Sequence, residues 1–353
     1  MENKTEYQAA MLFNRLVKTR RHLRKWAARI GAGVYRLYDR DIPEIPLVLD
    51  FYQNDETLAV SGALYERPYE KEPDEEEIWL STMKSAVSKA LDVDGRNIFL
   101  KTRKHRRRKT APDGSFNQYQ KEDGGAFKMI IKENGLSFIV NLSDYIDAGI
   151  FPDLRNLRKL VMEEASGKTV LNLFCYTGAF SIYAAKGGAR RVDSVDMSST
   201  YLKWAAANCE LNDVKTTGIR ADVFRFLEDA ASAGKRACRR WDIIIVDPPA
   251  FSNSKKMKGD ALGGVFDIKH DYLFLLSKCL PLLNAGGRIF FCVNARKFNV
   301  DKFNAGIHNL LNNPENSGAD EKNISVKNIS DRIRSEDFRG RRMPHCFAIC
   351  KTN

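Results

Sequence analysis

The chain has 353 residues, 43% of them hydrophobic, enough to bury the core of one large domain or two ordinary ones. Lys plus Arg number 57 against 45 Asp plus Glu, a formal net charge of +12 that suits a polyanion such as nucleic acid. No apolar run reaches the roughly 18 residues of a membrane span, the N-terminus has no apolar signal-peptide core, and the seven scattered cysteines form no CxxC pair. Neither a zinc site nor a disulfide framework is implied, and a reducing cytoplasm is the simplest compartment.

Residues 5–31 are expected to form a helix, with Leu12, Leu16, Leu23, Trp26, Ala27 and Ile30 at helical spacing and Lys and Arg between them. Gly31 and Gly33 can end it. Short β-like runs follow at 34–39, 47–53 and 57–65, then a charged linker, a helix at about 75–91 and a strand at 97–103. The segment 127–142 is two apolar runs around Glu133-Asn134-Gly135, a strong hairpin signal.

Near residue 153 the grammar changes. Helices are expected at 153–165, 178–187, 199–210, 223–233 and 268–284. Strands are expected at 169–174, 191–195, 216–219, 241–247 and 288–293. Alternation of this kind predicts a mostly parallel sheet covered on both faces. Two further runs, 323–330 and 345–351, look like a terminal hairpin. The organisation expected is an N-terminal α+β RNA-binding module with a β-hairpin (1–143) and a C-terminal Rossmann-like α/β domain of about seven strands (144–353).

In an open α/β sheet, ligands bind beyond the carboxyl ends of the strands. The first parallel strand runs into "LNLFCYTGAFS", where Gly178 lets backbone approach a ligand and a helix N-terminus presents free N–H groups. Asn172, Phe174, Tyr176, Thr177 and Gly178 are therefore candidate cofactor residues. The second strand ends at Asp196-Met197, an acid placed to accept bonds from two ribose hydroxyls. Asp222 precedes a helix, where it can cap the helix or meet an adenine amino group. G-x-G-x-x-G is absent, which speaks against a nicotinamide-dependent oxidoreductase; S-adenosylmethionine carries no phosphate and needs no such cradle.

The fourth strand closes in Asp247-Pro248-Pro249. Proline fixes φ and removes an N–H donor, so the loop is rigid, and Phe251 is placed to stack on a planar base. Asp247, Pro248 and Phe251 thus form a candidate catalytic socket for a nucleobase, with Asp247 also bordering the cofactor. Asn253, Lys255, Asn294 and Arg296 are further candidates for base or phosphate contact. A second RNA grip is "KTRKHRRRK" at 101–109, seven of nine residues basic, leading to Phe116 and Tyr119. Arg103, Lys104, Arg106, Arg107, Arg108, Lys109 and Tyr119 are its candidate RNA-binding residues.

Several segments carry a resemblance to the S-adenosylmethionine-dependent ribosomal RNA methyltransferases. They are "NRLVKTRRHLRKWA" at 14–27, "YRLYDRDIPE" at 35–44, "VNLSDYIDAGIFPDLR" at 140–155, "NLFCYTGAFS" at 172–181, "VDMSSTYLKWAAAN" at 195–208 and "DPPAFSNSKKM" at 247–257. The chain is most similar to the guanine-N7 methyltransferase half of the bacterial bifunctional large-subunit enzymes. The resemblance implies a class I methyltransferase fold, S-adenosylmethionine as cofactor, no metal, and 23S rRNA or an assembling large subunit as partner. The second methyltransferase of those enzymes is missing here, so one activity is implied. Residues 258–267 look longer than the family pattern, as a lid over the base pocket would.

Cytosine-C5 chemistry needs a cysteine that adds to the ring, and the matching place falls near Asn294, with Cys292 expected in the core. Guanine N7 has a lone pair and no proton to lose, so its methylation needs no base. A D-P-P loop can instead grip an exocyclic amino group, which leaves guanine-N2 and adenine-N6 open on chemistry alone. A non-catalytic ribosome assembly factor on a methyltransferase shell is the reading of another class.

Overall fold

The computed structural model describes residues 2–67, 69, 71–102, 126–145, 147–232, 239–253, 265–295, 298–312 and 324–352. Two compact units emerge: Met1–Pro152 with Ser335–Arg341, and Asp153–Arg334 with Arg342–Asn353. Residues 144–152 belong with the first unit, and the second is interrupted by a short segment of its own tail.

In the first unit, helix α1 (Glu2–Ile30) precedes strands β1 (Val34–Asp39), β2 (Leu47–Gln53) and β3 (Leu58–Leu64), helix α2 (Pro73–Leu91) and strand β4 (Ile98–Thr102). The sheet order is β1-β2-β3-β4, antiparallel except between β3 and β4, the pair that α2 connects. The apolar stripe of α1 (Leu12, Leu16, Leu23, Ala27) and that of α2 (Trp79, Met83, Val87, Leu91) share one core with Tyr35, Leu37, Leu49, Phe51 and Val60. Gly31, at φ 62°, supplies the left-handed residue that ends α1. The hairpin is strands β5 (Lys128–Glu133) and β6 (Leu136–Asn141), closed by Asn134 and Gly135 at φ 50° and 80°, the doubly left-handed turn that fits strand twist.

The second unit runs α3 (Arg155–Glu164), β7 (Thr169–Leu173), α4 (Ala179–Lys186), β8 (Arg191–Asp196), α5 (Ser199–Leu211), β9 (Thr217–Arg220), α6 (Val223–Ser232) and β10 (Trp241–Val246). It continues with β11 (Phe251–Asn253), β12 (Val265–Asp267), α7 (Ile268–Cys279), β13 (Leu283–Val293), α8 (Val300–Leu311), β14 (Ile324–Asn328) and β15 (His345–Lys351). Seven strands form one sheet in the order β14-β15-β13-β10-β7-β8-β9. All are parallel except β15, which lies antiparallel between β13 and β14. β7 is buried throughout and β10 everywhere but Asp242, so both are mainly apolar and show no alternation. The strand order reverses between β7 and β10, which opens a crevice at their carboxyl ends.

Four features depart from the sequence reading. β13 begins at Leu283, because Gly286 (φ 70°) and Gly287 carry the strand through a bulge and do not interrupt it. The helix expected at 268–284 stops at Cys279 and gives way to a 3₁₀ turn at Leu280–Leu282, where Pro281 cannot continue it. Helix α8 and the antiparallel pair β11–β12 were not expected. The terminal hairpin forms, although 335–341 of its connection belongs to the first unit.

Candidate functional site

The loop after β7 turns sharply. Phe174, Tyr176 and Gly178 all have positive φ, at 54°, 51° and 79°. Two non-glycine residues in that region are uncommon and need the surroundings to hold them. Cys175 N donates to Val195 O (3.0 Å), Gly178 N to Cys175 O (2.9 Å), and the Asn208 amide to Thr177 O (3.0 Å). Tyr176 packs edge-on against Tyr201 with centroids 4.5 Å apart, and the Trp204 ring is tilted to it at 6.4 Å. Phe174 stacks on Phe266 of β12. A Cβ on Gly178 would stand 2.8 Å from Ala205 Cβ, so glycine is required by space as well as by conformation.

This loop orients Asp196. Tyr176 N donates to one carboxylate oxygen (3.0 Å) and Ser198 N to the other (2.8 Å), while Ser198 Oγ caps α5. Burial raises the carboxyl above its usual range, and the N–H groups of Ser198, Tyr176 and Met197 pull it back. A carboxylate has about four acceptor positions. The backbone N–H groups do not fill these, so acceptor capacity remains for a vicinal diol. Ala221 N donates to Asp196 O (3.2 Å), which draws Asp222 beside the same strand end. Asp222 accepts from Arg225 N (3.0 Å) and so caps α6. Asn172 does not face this loop: it is 2% exposed and its amide donates to Ser181 Oγ (2.9 Å), which in turn bonds Ser194 Oγ (2.7 Å). Met197 packs against the core of the unit.

Asp247 follows the last residue of β10, so Asp196 and Asp247 close the two strands that flank β7. Asp247 is part-buried and Pro248 buried. Burial pushes the Asp247 carboxyl up to about 7; Asp153 adds to the rise and Arg158 opposes it. Arg158 is 2% exposed, its guanidinium about equally distant from the Phe180 ring (6.0 Å) and the Tyr183 ring (5.9 Å). Sequence reasoning gave Asp153, Arg158, Tyr201 and Trp204 no role. Two arginines three residues apart, Arg155 and Arg158, interleaved with the apolar Leu157, Leu160 and Val161 of α3, were the available signal for Arg158.

Phe251 stands on β11, opposite Asp267 of β12, and keeps 42% of its surface exposed. Asn253 ends β11 and Asn294 is exposed just past β13. Lys255, Arg296 and the segment 258–264 lie outside the described residues, as do Arg103, Lys104, Arg106, Arg107, Arg108, Lys109 and Tyr119. Lys101, the first cation of that basic run, is buried in β4 and donates to Tyr145 O, so it is spent inside the fold. Cys292 is fully buried; its Sγ lies 3.4 Å from Cys346 Sγ across the β13–β15 ladder, and its thiol is pushed well above the usual range. Burial does the same to Cys175. Raised and buried in this way, both thiols are held protonated. Among the described residues no His, Cys, Asp and Glu cluster suits a metal, and no helix is long and apolar enough to cross a membrane.

A model of S-adenosylmethionine-dependent methyltransferases matches residues 58–305. Ribosomal RNA large subunit methyltransferase K of Neisseria meningitidis is 38% identical over 339 residues, 95% of this chain and 86% of that protein. Ribosomal RNA large subunit methyltransferase K/L of Shewanella amazonensis is 41% identical over 297 residues, and there the match spans only 39% of the relative's length. Among solved structures, an S-adenosylmethionine-dependent methyltransferase from Streptococcus mutans gives a TM-score of 0.69 at 24% identity, covering 97% of this chain and 81% of its own. One from Agrobacterium tumefaciens gives 0.56 at 17%, covering 92% and 91%. The structural likenesses speak to the fold, which is that of the class I methyltransferases.

Proposed function

The chain belongs to the S-adenosylmethionine-dependent methyltransferases, in the family of ribosomal RNA large subunit methyltransferase K, and from that premise we propose that it methylates guanine N7 in 23S rRNA, free or in an assembling large subunit. The observation that carries the reading is the pair of acids at the ends of β8 and β10, on either side of a glycine loop at the point where the strand order reverses.

When bound, S-adenosylmethionine supplies a methyl group activated on a sulfonium. In this reading Asp196 would accept the ribose hydroxyls, Gly178 with Tyr176 and Thr177 would let the backbone approach, Met197 would contact the adenosine, and Asp222 would keep an acceptor for the adenine amino group. Asn172 acts one step back, by fastening α4 to β7 and β8 through Ser181. Pro248 holds the socket rigid, Phe251 stacks on the flipped base, and Asp247 favours positive charge on it. Arg103, Lys104, Arg106 to Lys109, Tyr119, Asn253, Lys255, Asn294 and Arg296 are assigned to the RNA.

The donor would supply the methyl, its S–C bond electrons staying on sulfur, and the N7 lone pair would supply the electrons of the new N–C bond. No proton moves, so the site needs no general base; orientation can supply about 7–11 kcal/mol in favourable cases. The buried, protonated Cys292 supports this over cytosine-C5, which needs a thiolate at the ring.

The test is methylation of 23S rRNA transcript and of immature large subunits with deuterated-methyl donor, followed by nucleoside mass spectrometry. Labelled 7-methylguanosine is expected. Labelled N2-methylguanosine, N6-methyladenosine or 5-methylcytidine would overturn the N7 assignment. RNA binding without label would favour an assembly factor.

A further inference from the structure

Helix α1 lies outside the residues matched by the methyltransferase model. It carries Arg15, Lys18, Arg20, Arg21, Arg24, Lys25 and Arg29, and the chain has no acidic residue from Tyr7 to Tyr38. These cations are not alike. Arg20 is turned inward, its guanidinium 4.7 Å over the Phe51 ring and donating to Leu91 O. Arg15 bonds Asp41 at 2.7 Å, and His22 pairs with Glu336 at 3.0 Å. Lys18, Arg21, Lys25 and Arg29 are all exposed and have no ion pair among the described residues.

At about 100° per residue these four lie within about 60° of Lys18 around the helix, facing away from Leu12, Leu16, Leu23 and Ala27, which are buried in the core. They extend over about 16.5 Å of helix axis. The one large aromatic in the stretch, Trp26, sits edge-on to Tyr35 at 6.5 Å, so it is spent on packing. A stripe of cations without a stacking ring reads charge and not bases.

We propose that this stripe, Lys18, Arg21, Lys25 and Arg29, is an RNA-binding face that grips backbone phosphates without regard to sequence. The proposal rests on the ribosomal RNA reading above. Four phosphate contacts would each release counterions, and the affinity of the whole chain would then depend steeply on salt.

The experiment is filter binding of the full chain to a protein-free 23S rRNA transcript across a salt series. It compares wild type with K18Q/R21Q/K25Q/R29Q, which keeps good helix formers, and with the charge-preserving K18R/R21K/K25R/R29K. The neutral variant is expected to bind at least tenfold more weakly at about 0.1 M salt, with a log–log slope shallower by about 3. The charge-preserving variant should stay within about twofold of wild type, and S-adenosylhomocysteine affinity and melting temperature should hold in both. An unchanged slope in the neutral variant, or equal weakening in the charge-preserving one, overturns the proposal. Loss of binding to phosphatidylserine vesicles with RNA binding intact would also overturn it, by assigning the face to a membrane. Methyl transfer to rRNA separates the two claims. Transfer with a stripe-independent slope sinks only the stripe, whereas a stripe-dependent slope without transfer sinks only the enzyme reading. Wild type that fails to bind the transcript sinks both.

Discussion

Asp247 should act as a pH gauge for the reaction. Its carboxyl is pushed up to about 7 by burial, with Asp153 adding and Arg158 opposing. If the ionised form is the active one, roughly one molecule in eleven is competent at pH 6 and ten in eleven at pH 8. A plot of kcat/KM for the donor, which reports the free enzyme, should therefore rise about tenfold between those values with its midpoint near 7. The midpoint in kcat should lie lower, because a bound sulfonium favours the carboxylate. Asp153→Asn should move the midpoint down, since the neighbour that raises it is gone. Arg158→Lys should move it little; Arg158→Gln should move it up. Stability gives a second reading without RNA. The folded value lies above the ordinary one, so the folded chain binds more protons between about pH 4 and about pH 7, and stability falls as pH rises through that window. The loss stays well under the roughly 4 kcal/mol that three full pH units would carry, because the carboxylate is only part-buried. Asp247→Asn should abolish both effects, leaving a fold at least as stable at pH 8 and methyl transfer reduced at least a hundredfold. The assay is single-turnover transfer of tritiated methyl to the transcript, with melts across the same pH range. A flat profile in wild type, or an inflection near 7 that survives in Asp247→Asn, refutes the reasoning.

Asp196→Ala removes the proposed diol acceptor; two bonds to a charged group are worth about 3–6 kcal/mol, so calorimetry should find S-adenosylhomocysteine affinity reduced at least a hundredfold. Gly178→Ala combines φ 79° with a 2.8 Å approach to Ala205 Cβ; thermal melts should show a loss of about 1–3 kcal/mol, and donor affinity should fall with it. Cys292→Ala should leave methyl transfer within about threefold and form no adduct with 5-fluorocytidine RNA, because a buried thiol pushed well above its usual range is no nucleophile; an adduct in wild type that the variant loses would restore the cytosine reading.

What the sequence disclosed depended on pattern. β1, β2 and β15 lie at their expected bounds because β-branched and aromatic residues end abruptly at turn residues. The places of Asp196 and Asp247 at the ends of β8 and β10 were legible, because they need only strand boundaries. The partner of Asn172 was not legible: β7 is buried throughout, so nothing in its composition says which way residue 172 points, and its amide donates to Ser181. Helix α8 was hidden by asparagines, which are weak helix formers. Its cap, Asn299 accepting from Lys302 N at 2.9 Å, and its stripe of Phe303, Ile307 and Leu311 emerge only once the helix is known. Gly286-Gly287 reads as punctuation and is a bulge. Buried arginines such as Arg155 and Arg158 run against the average placement of the residue type, so composition could not find them.

The two acids differ in environment more than in type, and that difference divides the work between them. Burial raises the Asp196 carboxyl too, but backbone N–H groups stabilise its charge and offset part of that rise, as suits an acceptor for neutral hydroxyls. Asp247 is burdened by burial and by Asp153, so its charge is costly until something positive arrives. Methyl transfer from a sulfonium to a neutral ring nitrogen creates no new charge; it moves one from donor to acceptor. Only a carboxylate on the acceptor side gains from that movement, and uniform attraction to both ends would lower KM without raising kcat. Asp247 follows β10 and leads into Phe251, across β7 from Asp196, so it stands on the side assigned to the base. Its loss should therefore fall on kcat, and the loss of Asp196 on KM for the donor. If Asp247→Asn raised only that KM, Asp247 would be a second anchor for the cofactor and the base would have to be held by other residues.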